Sequence, residues 1–274
     1  MDAAHLFERA SGRLPSVPKV VQELISSFQD TAVSIDSIID KVAQDQVLSA
    51  RVLRLANTAR FGGLGRVGSL DEAVVLLGFD NLRMLVIASG ITGAAVRMPH
   101  FDMPAFWQHS LGRANAAKGL ARLAGLDPQL GYTCGLLAQI GELVLHAALP
   151  VEASHVDRLV AGGSDRLSVE RLTLGIDLTE VGAELARRWN FPPLLQEAIR
   201  HQHDPLEAGE ATPYAALISL ASFLVAGFGV EMSESEMLET LPQSVVQRLG
   251  LDPARLAEAM PALRAACTVQ HELV

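Results

Sequence analysis

Apolar residues recur at three- and four-residue intervals along most of the chain. Val17, Val20, Val21, Leu24, Ile25 and Phe28 make one such stripe. It predicts a helix over 17–28, opened by Pro15 and Pro18 where a missing N–H costs nothing. Ser34 caps a second helix, with Asp36 in its first turn and Ile35, Ile38, Ile39 and Val42 facing inward. A third follows from Asp45, with Leu48, Val52, Leu55 and Ala56 on one stripe, and it stops at the glycine-rich loop Phe61–Gly68. Ser69-Leu-Asp-Glu72 is a capping box whose helix ends at Gly78, and Asp80 begins another.

The second half repeats the pattern. Trp107–Ala124 is expected to be helical up to Gly125, and Asp127-Pro128 to open a helix running through Tyr132 and Cys134 to Leu149. Gly-Leu-Asp-Pro recurs at 250–253, the same device of a glycine stop and an Asp-Pro start. No stretch keeps a period-two alternation between turns. The expected fold class is all-α.

Composition narrows the function classes. The 274 residues are 49% hydrophobic with mean hydropathy +0.26, which excludes intrinsic disorder. A net charge of −9 makes DNA or RNA an unexpected partner, since phosphate binding favours a basic excess. Residues 1–97 are balanced in charge and residues 98–274 carry the whole deficit. With the proline-flanked stretch Arg97–Pro104, this predicts two helical lobes joined near residue 100. Pro213–Val230 is uncharged for 18 residues, but its flanks are acidic, so a buried helix is expected and no membrane span. The opening Met-Asp-Ala-Ala-His lacks a secretion signal, and two cysteines suit a reduced chain. A cytoplasmic location is expected.

Candidate chemistry is sparse. His201-Gln-His203 with Asp204 is the densest ligand cluster, but residues two apart on a helix diverge. His109 is isolated, so each histidine reads first as a surface or hydrogen-bonded core residue. There is no nucleophile elbow, and Cys134 lies in an apolar helix. Arg60 and Arg66 beside Gly62-Gly63-Leu-Gly65 could hold a phosphate, though a plain helix connection explains the loop as well.

An ordered set of blocks nevertheless resembles one family. Leu14-Pro-Ser-Val-Pro18, Asp45 with Leu48–Asn57, Ser69–Gly78, Trp107-Gln-His-Ser110, Gly135–Gly141, Gly175-Ile-Asp177, Trp189–Pro192 and His203-Asp-Pro205 resemble the HDOD domain, the HD-related output domain of bacterial signalling proteins. The resemblance covers roughly 12–208. It implies an N-terminal helical lobe over about 12–97 and an HD-like lobe over about 101–208, with 209–274 as a helical extension packed on the latter. The acidic run Glu231–Glu239 in that extension is expected to be a solvated face, and Trp107 and Trp189 to be core anchors.

The departures from HD phosphohydrolases carry the functional expectation. His109 looks like their first metal histidine, but the His-Asp pair falls at Ala138-Gln139, the later aspartate at Ser222 and a further histidine at Leu178. His203 is retained with Gln202 beside it. Such a set should not hold a divalent ion, because amides and hydroxyls do not offset its desolvation. The resemblance therefore implies a non-catalytic signalling module with no catalytic residue, no metal at these positions and no cofactor. It would act on signalling proteins of cyclic-dinucleotide or motility pathways. The alternative is a nucleotide or cyclic-dinucleotide sensor using the degenerate cleft, with Arg51, Arg54, Asn57 and Arg60 as contacts. A residual phosphohydrolase is the least expected outcome.

Overall fold

The computed structural model describes residues 3–9, 35–43, 46–57, 67–78, 82, 98, 101–189, 191–206 and 213–267. All regular structure among them is helical, which is the all-α class the periodicity predicts. The chain divides into two compact units, one of Met1–Leu14 with Arg97–Gln270 and one of Pro15–Val96 with His271–Val274. The predicted helix over 17–28 and the loop after Asn57 up to residue 66 lie outside the described residues.

In the Pro15–Val96 unit, α2 (Ile35–Ala43) and α3 (Gln46–Ala56) pack together, burying Ile38, Val42, Leu48, Val52 and Ala56 as their stripes require. The Ser49 hydroxyl donates to the Val42 carbonyl at 2.9 Å across the connection. Asn57 ends this pair as a clamp. Its Nδ2 donates to the carbonyls of Leu53 and Val67, and its Oδ1 accepts from the Val67 amide at 2.9 Å. Residues 70–78 form α4, where Ser69 Oγ accepts from the Glu72 amide and Gly78 closes the helix at φ 73°.

The other unit is built on α5 (Met103–Leu123), whose small residues let neighbours approach closely. It starts four residues before the expected Trp107, because Asp102 caps it by accepting from the Ala105 amide and Pro104 sits in the first turn. Trp107 is 1% exposed and Trp189 7%, both anchors of the core. Next come α6 (Pro128–Leu137) and α7 (Ile140–Ala148), two helices where the apolar run predicts one. The break falls at Ala138-Gln139, where Gln139 leaves helical geometry (φ −108°, ψ 21°). Then follow α8 (Pro150–Ala161), α9 (Arg166–Leu174), α10 (Leu178–Arg188) and α11 (Pro193–Arg200). The N-terminal α1 (Ala3–Arg9) rests on α7 and α10, with Phe7 under the Arg188 guanidinium at 4.4 Å.

Helix α12 (Pro213–Gly229) packs against α5, α6 and α11 with ten of its residues buried. No described helix is long and apolar enough to cross a membrane. Two short helices, α13 (Glu234–Glu239) and α14 (Gln243–Arg248), lead to α15 (Pro253–Cys267). Ser233 caps α13 in a capping box with Glu236, and Gly250 (φ 61°) precedes the Asp252 cap of α15. α15 lies on α5, where Asn115 Nδ2 donates to the Ala266 carbonyl and Cys267 Sγ to that of Gly112.

The contact between α7 and α10 is made backbone to backbone at Gly141. A Cβ there would collide with the Leu178 carbonyl oxygen and stand 2.8 Å from the Gly182 amide nitrogen. Gly141→Ala is therefore expected to lose about 2–4 kcal/mol in urea unfolding. Gly229→Ala, whose Cβ would meet open space, should be within about 0.5 kcal/mol of the parent.

Candidate functional site

Two groups of polar side chains are held within the larger unit. The first lies on α5, where Trp107, Ser110 and Arg113 recur every three residues and so share a face. Arg113 is 5% exposed, and its Nε donates to Ser222 Oγ on α12 at 3.0 Å. Its Nη1, the Trp107 indole N–H and the Ser110 hydroxyl are all buried without a hydrogen-bond partner. Burial pushes the Arg113 pKa down to about 10, partly opposed by the charge of Glu142. It stays a cation at neutral pH.

The break between α6 and α7 borders this group. Gln202, buried just after α11, donates from Nε2 to the Ala138 carbonyl at 2.7 Å and to the Ile199 carbonyl at 2.9 Å. That bond satisfies a carbonyl freed where the helix stops. Gly135, one turn before the break, is pressed so tightly onto α5 that a Cβ would stand 2.7 Å from the Arg113 carbonyl oxygen.

The positions singled out by sequence are thus only partly gathered. Ser222 meets Arg113, and Ala138 meets Gln202. Leu178 is fully buried at the start of α10 and donates its amide to Glu170 at 2.7 Å. Gln139 is half-buried, whereas His109 and His203 face solvent. Asn57 spends its amide on the Val67 clamp described above. The side chains of Arg51 and Arg54, and all of Arg60, lie outside the described residues. His201 caps the end of α11 and pairs with Glu197 at 3.2 Å, so it and His203 project from a turn rather than a helix.

The second group joins three helices through Arg166. From α9 its Nη2 reaches Asp157 Oδ1 on α8 at 2.9 Å and Glu142 Oε1 on α7 at 3.6 Å, while Nη1 donates to Glu170 at 3.3 Å. His146, 1% exposed, places Nε2 3.0 Å from Asp157 Oδ2. That approach pairs the two side chains without an aligned hydrogen bond, and Nδ1 has no partner. The Phe101 ring packs on the imidazole with centroids 4.5 Å apart. Glu142, His146, Arg166 and Glu170 line a small pocket with Leu145, Ala153, Val156 and Leu174.

Burial dominates the Glu170 carboxyl and raises its pKa to about 7, although the Leu178 amide and Arg166 pull it down. Burial also pushes Asp157 up, but His146 and Arg166 outweigh it and hold that carboxyl below its ordinary value. The sequence reading missed both Arg113 and this second group. Glu142 and His146, like Arg166 and Glu170, are four apart and share helix faces, a signal legible in the sequence. Asp157 joins them only through the packing of α7 on α8.

Comparison with known proteins locates the fold. A family model described as the HDOD domain matches residues 14–205. A crystal structure of a provisionally assigned phosphohydrolase from Shewanella amazonensis SB2B is 34% identical with a TM-score of 0.76, covering 96% of this chain and 95% of that one. A provisionally named signal transduction protein from Marinobacter aquaeolei VT8 is 29% identical with a TM-score of 0.76, covering 93% of this chain and 58% of its own. An uncharacterised protein of Treponema pallidum (strain Nichols) is 28% identical over 248 residues, 89% of this chain. The chain spans about half the length of that relative, 47%.

The raised Glu170 pKa sets a pH dependence. Folding takes up a proton at a carboxyl whose folded pKa exceeds its unfolded one, so this contribution is full below about pH 4.5 and is lost as pH rises through about 7. Urea midpoints are expected to fall between pH 5 and 8 by the equivalent of roughly 1–3 kcal/mol. Glu170→Gln should flatten that slope; an unchanged slope would assign it to other groups.

Proposed function

The chain belongs to the HDOD family, and on that premise we propose that it is a non-catalytic signal-transduction module regulating partner proteins by direct contact. One observation carries this reading. At the positions that the resemblance matches to the metal ligands of HD phosphohydrolases, this chain keeps His109 and His203 but has Ala138, Gln139, Leu178 and Ser222, and the cation beside Ser222 is the buried guanidinium of Arg113. A guanidinium is always charged and cannot bind a water as a Lewis acid, so it supplies no activated nucleophile. It also repels a second cation, whose desolvation amide and hydroxyl groups do not offset. Leu172 (87%) and Val75 (75%), one on each unit, are the exposed apolar side chains at which contact with a partner is to be tested. The signalling context comes from the family and from the Marinobacter relative. A cytoplasmic location would suit that role.

A nucleotide or cyclic-dinucleotide sensor is the second reading. It is favoured by the three donors with no hydrogen-bond partner on one face of α5: the Trp107 indole N–H, the Ser110 hydroxyl and Arg113 Nη1. Together they would suit an oxyanion if the cleft opens.

Three measurements divide these readings. The full chain, incubated with bis(p-nitrophenyl) phosphate or a cyclic dinucleotide and Mn²⁺, Ni²⁺ or Mg²⁺, is expected to give no hydrolysis above buffer. Turnover proportional to protein would overturn the non-catalytic assignment. Cross-linking in living cells followed by mass spectrometry should give a small protein set, reduced by Leu172→Asp or Val75→Asp; no set above background would overturn regulation by contact. Equilibrium dialysis with a cyclic dinucleotide should show no retention, and retention abolished by Arg113→Met would favour the sensor.

A further inference from the structure

We propose that Glu142, His146 and Asp157 bind one divalent transition-metal ion, at a site distinct from the vestigial HD positions. One ligand atom from each lies within 4.8 Å of the other two. A tetrahedral ion with bonds near 2.0–2.2 Å sets its ligand atoms roughly 3.3–3.6 Å apart. The His146–Asp157 pair, at 3.0 Å, has to open by only a few tenths of an ångström. The Glu142 carboxylate has to close roughly one to one and a half ångströms, a side-chain movement on α7.

His146 is the independent indication of a ligand. An imidazole this deeply buried ordinarily gives both nitrogens a partner, since an unsatisfied buried group forfeits its hydration. Here neither nitrogen makes an aligned hydrogen bond, and Nε2 meets only the Asp157 carboxylate, with Phe101 holding the ring from its face. A metal ion would take up the Nε2 lone pair that Asp157, an acceptor itself, cannot use unless the ring is protonated there.

Arg166 supports the ligands without consuming them. It engages Oδ1 of Asp157 and leaves Oδ2 toward His146, and it stands 3.6 Å from Glu142 Oε1, a looser pairing. One guanidinium serves Glu142, Asp157 and the partly protonated Glu170, so the carboxylate charge still exceeds its single positive charge. Entry is available past Asp157, whose side chain is 32% exposed. One imidazole with two carboxylates suits Zn²⁺, Mn²⁺, Co²⁺ or Fe²⁺ better than Ca²⁺ or Mg²⁺, which prefer all-oxygen shells. The Glu142 and His146 ligands share one helix face and Asp157 comes from the next helix, so the ion would pin α8 to α7.

The test is titration of the metal-stripped full chain with Co²⁺, read by visible absorption, and with Zn²⁺, read by calorimetry. One ion per chain is expected, with about tenfold or greater loss of affinity in Glu142→Gln and in Asp157→Asn. Both substitutions are isosteric, and circular dichroism of each would establish that it folds. His109→Ala and His203→Ala should bind as the parent does. No cobalt spectrum and no zinc heat below about 1 mM would overturn the site, as would binding that survives both isosteric variants or is abolished by His109→Ala or His203→Ala. Because the proposal does not rest on the signalling role, a bound ion without phosphodiester hydrolysis would leave that role standing.

Discussion

The larger unit depends on helices meeting backbone to backbone where glycine removes the side chain. Gly135 brings α6 onto the Arg113–Ala114 backbone of α5, and Gly131 does the same one turn earlier against Ala117 and Ala121. Gly141 and Gly182 together let α7 touch α10. Each contact removes a layer of side chains, and the elements beyond must then sit within a few ångströms of one another. This closeness is why Arg113 reaches Ser222 and Gln202 reaches Ala138. A larger residue at Gly135 or Gly141 would press on backbone and force the helices apart, since interiors packed at crystal density have little slack.

That constraint also separates what the sequence made legible from what it did not. Stripes such as Leu48, Val52 and Ala56, and punctuation such as Asp127-Pro128 or Gly250, act over one or two turns, so a linear reading finds them. The break at Ala138-Gln139 was not found, because the apolar run Gly135–Leu149 has no glycine–proline stop and its hydrophobic pattern continues unbroken. The bond that seals it comes from Gln202, a residue far along the chain. Helix α5 likewise begins earlier than its apolar pattern, set by the single side chain of Asp102.

The candidate site shows the same division. Substitutions at the HD positions can be read one residue at a time, and they carried the functional expectation. Arg113 lay four residues after His109, yet only packing reveals it as the buried cation, while His109 itself faces solvent. The Glu142–His146 and Arg166–Glu170 spacings were visible, but their convergence on Asp157 requires α7, α8 and α9 to be in place. Buried charge is satisfied by partners distant in sequence, so its chemistry stays hidden until the fold is known.

The Gln202–Ala138 bond has a consequence for how the protein is made. Its two residues are separated by 64 positions, so a ribosome delivers α6 and α7 well before the residue that seals the break between them. At about 5–20 residues per second that interval is roughly three to thirteen seconds. Through it the Ala138 carbonyl must be satisfied by water or by a continued helix, and only the emergence of Gln202, just past α11, supplies its native partner.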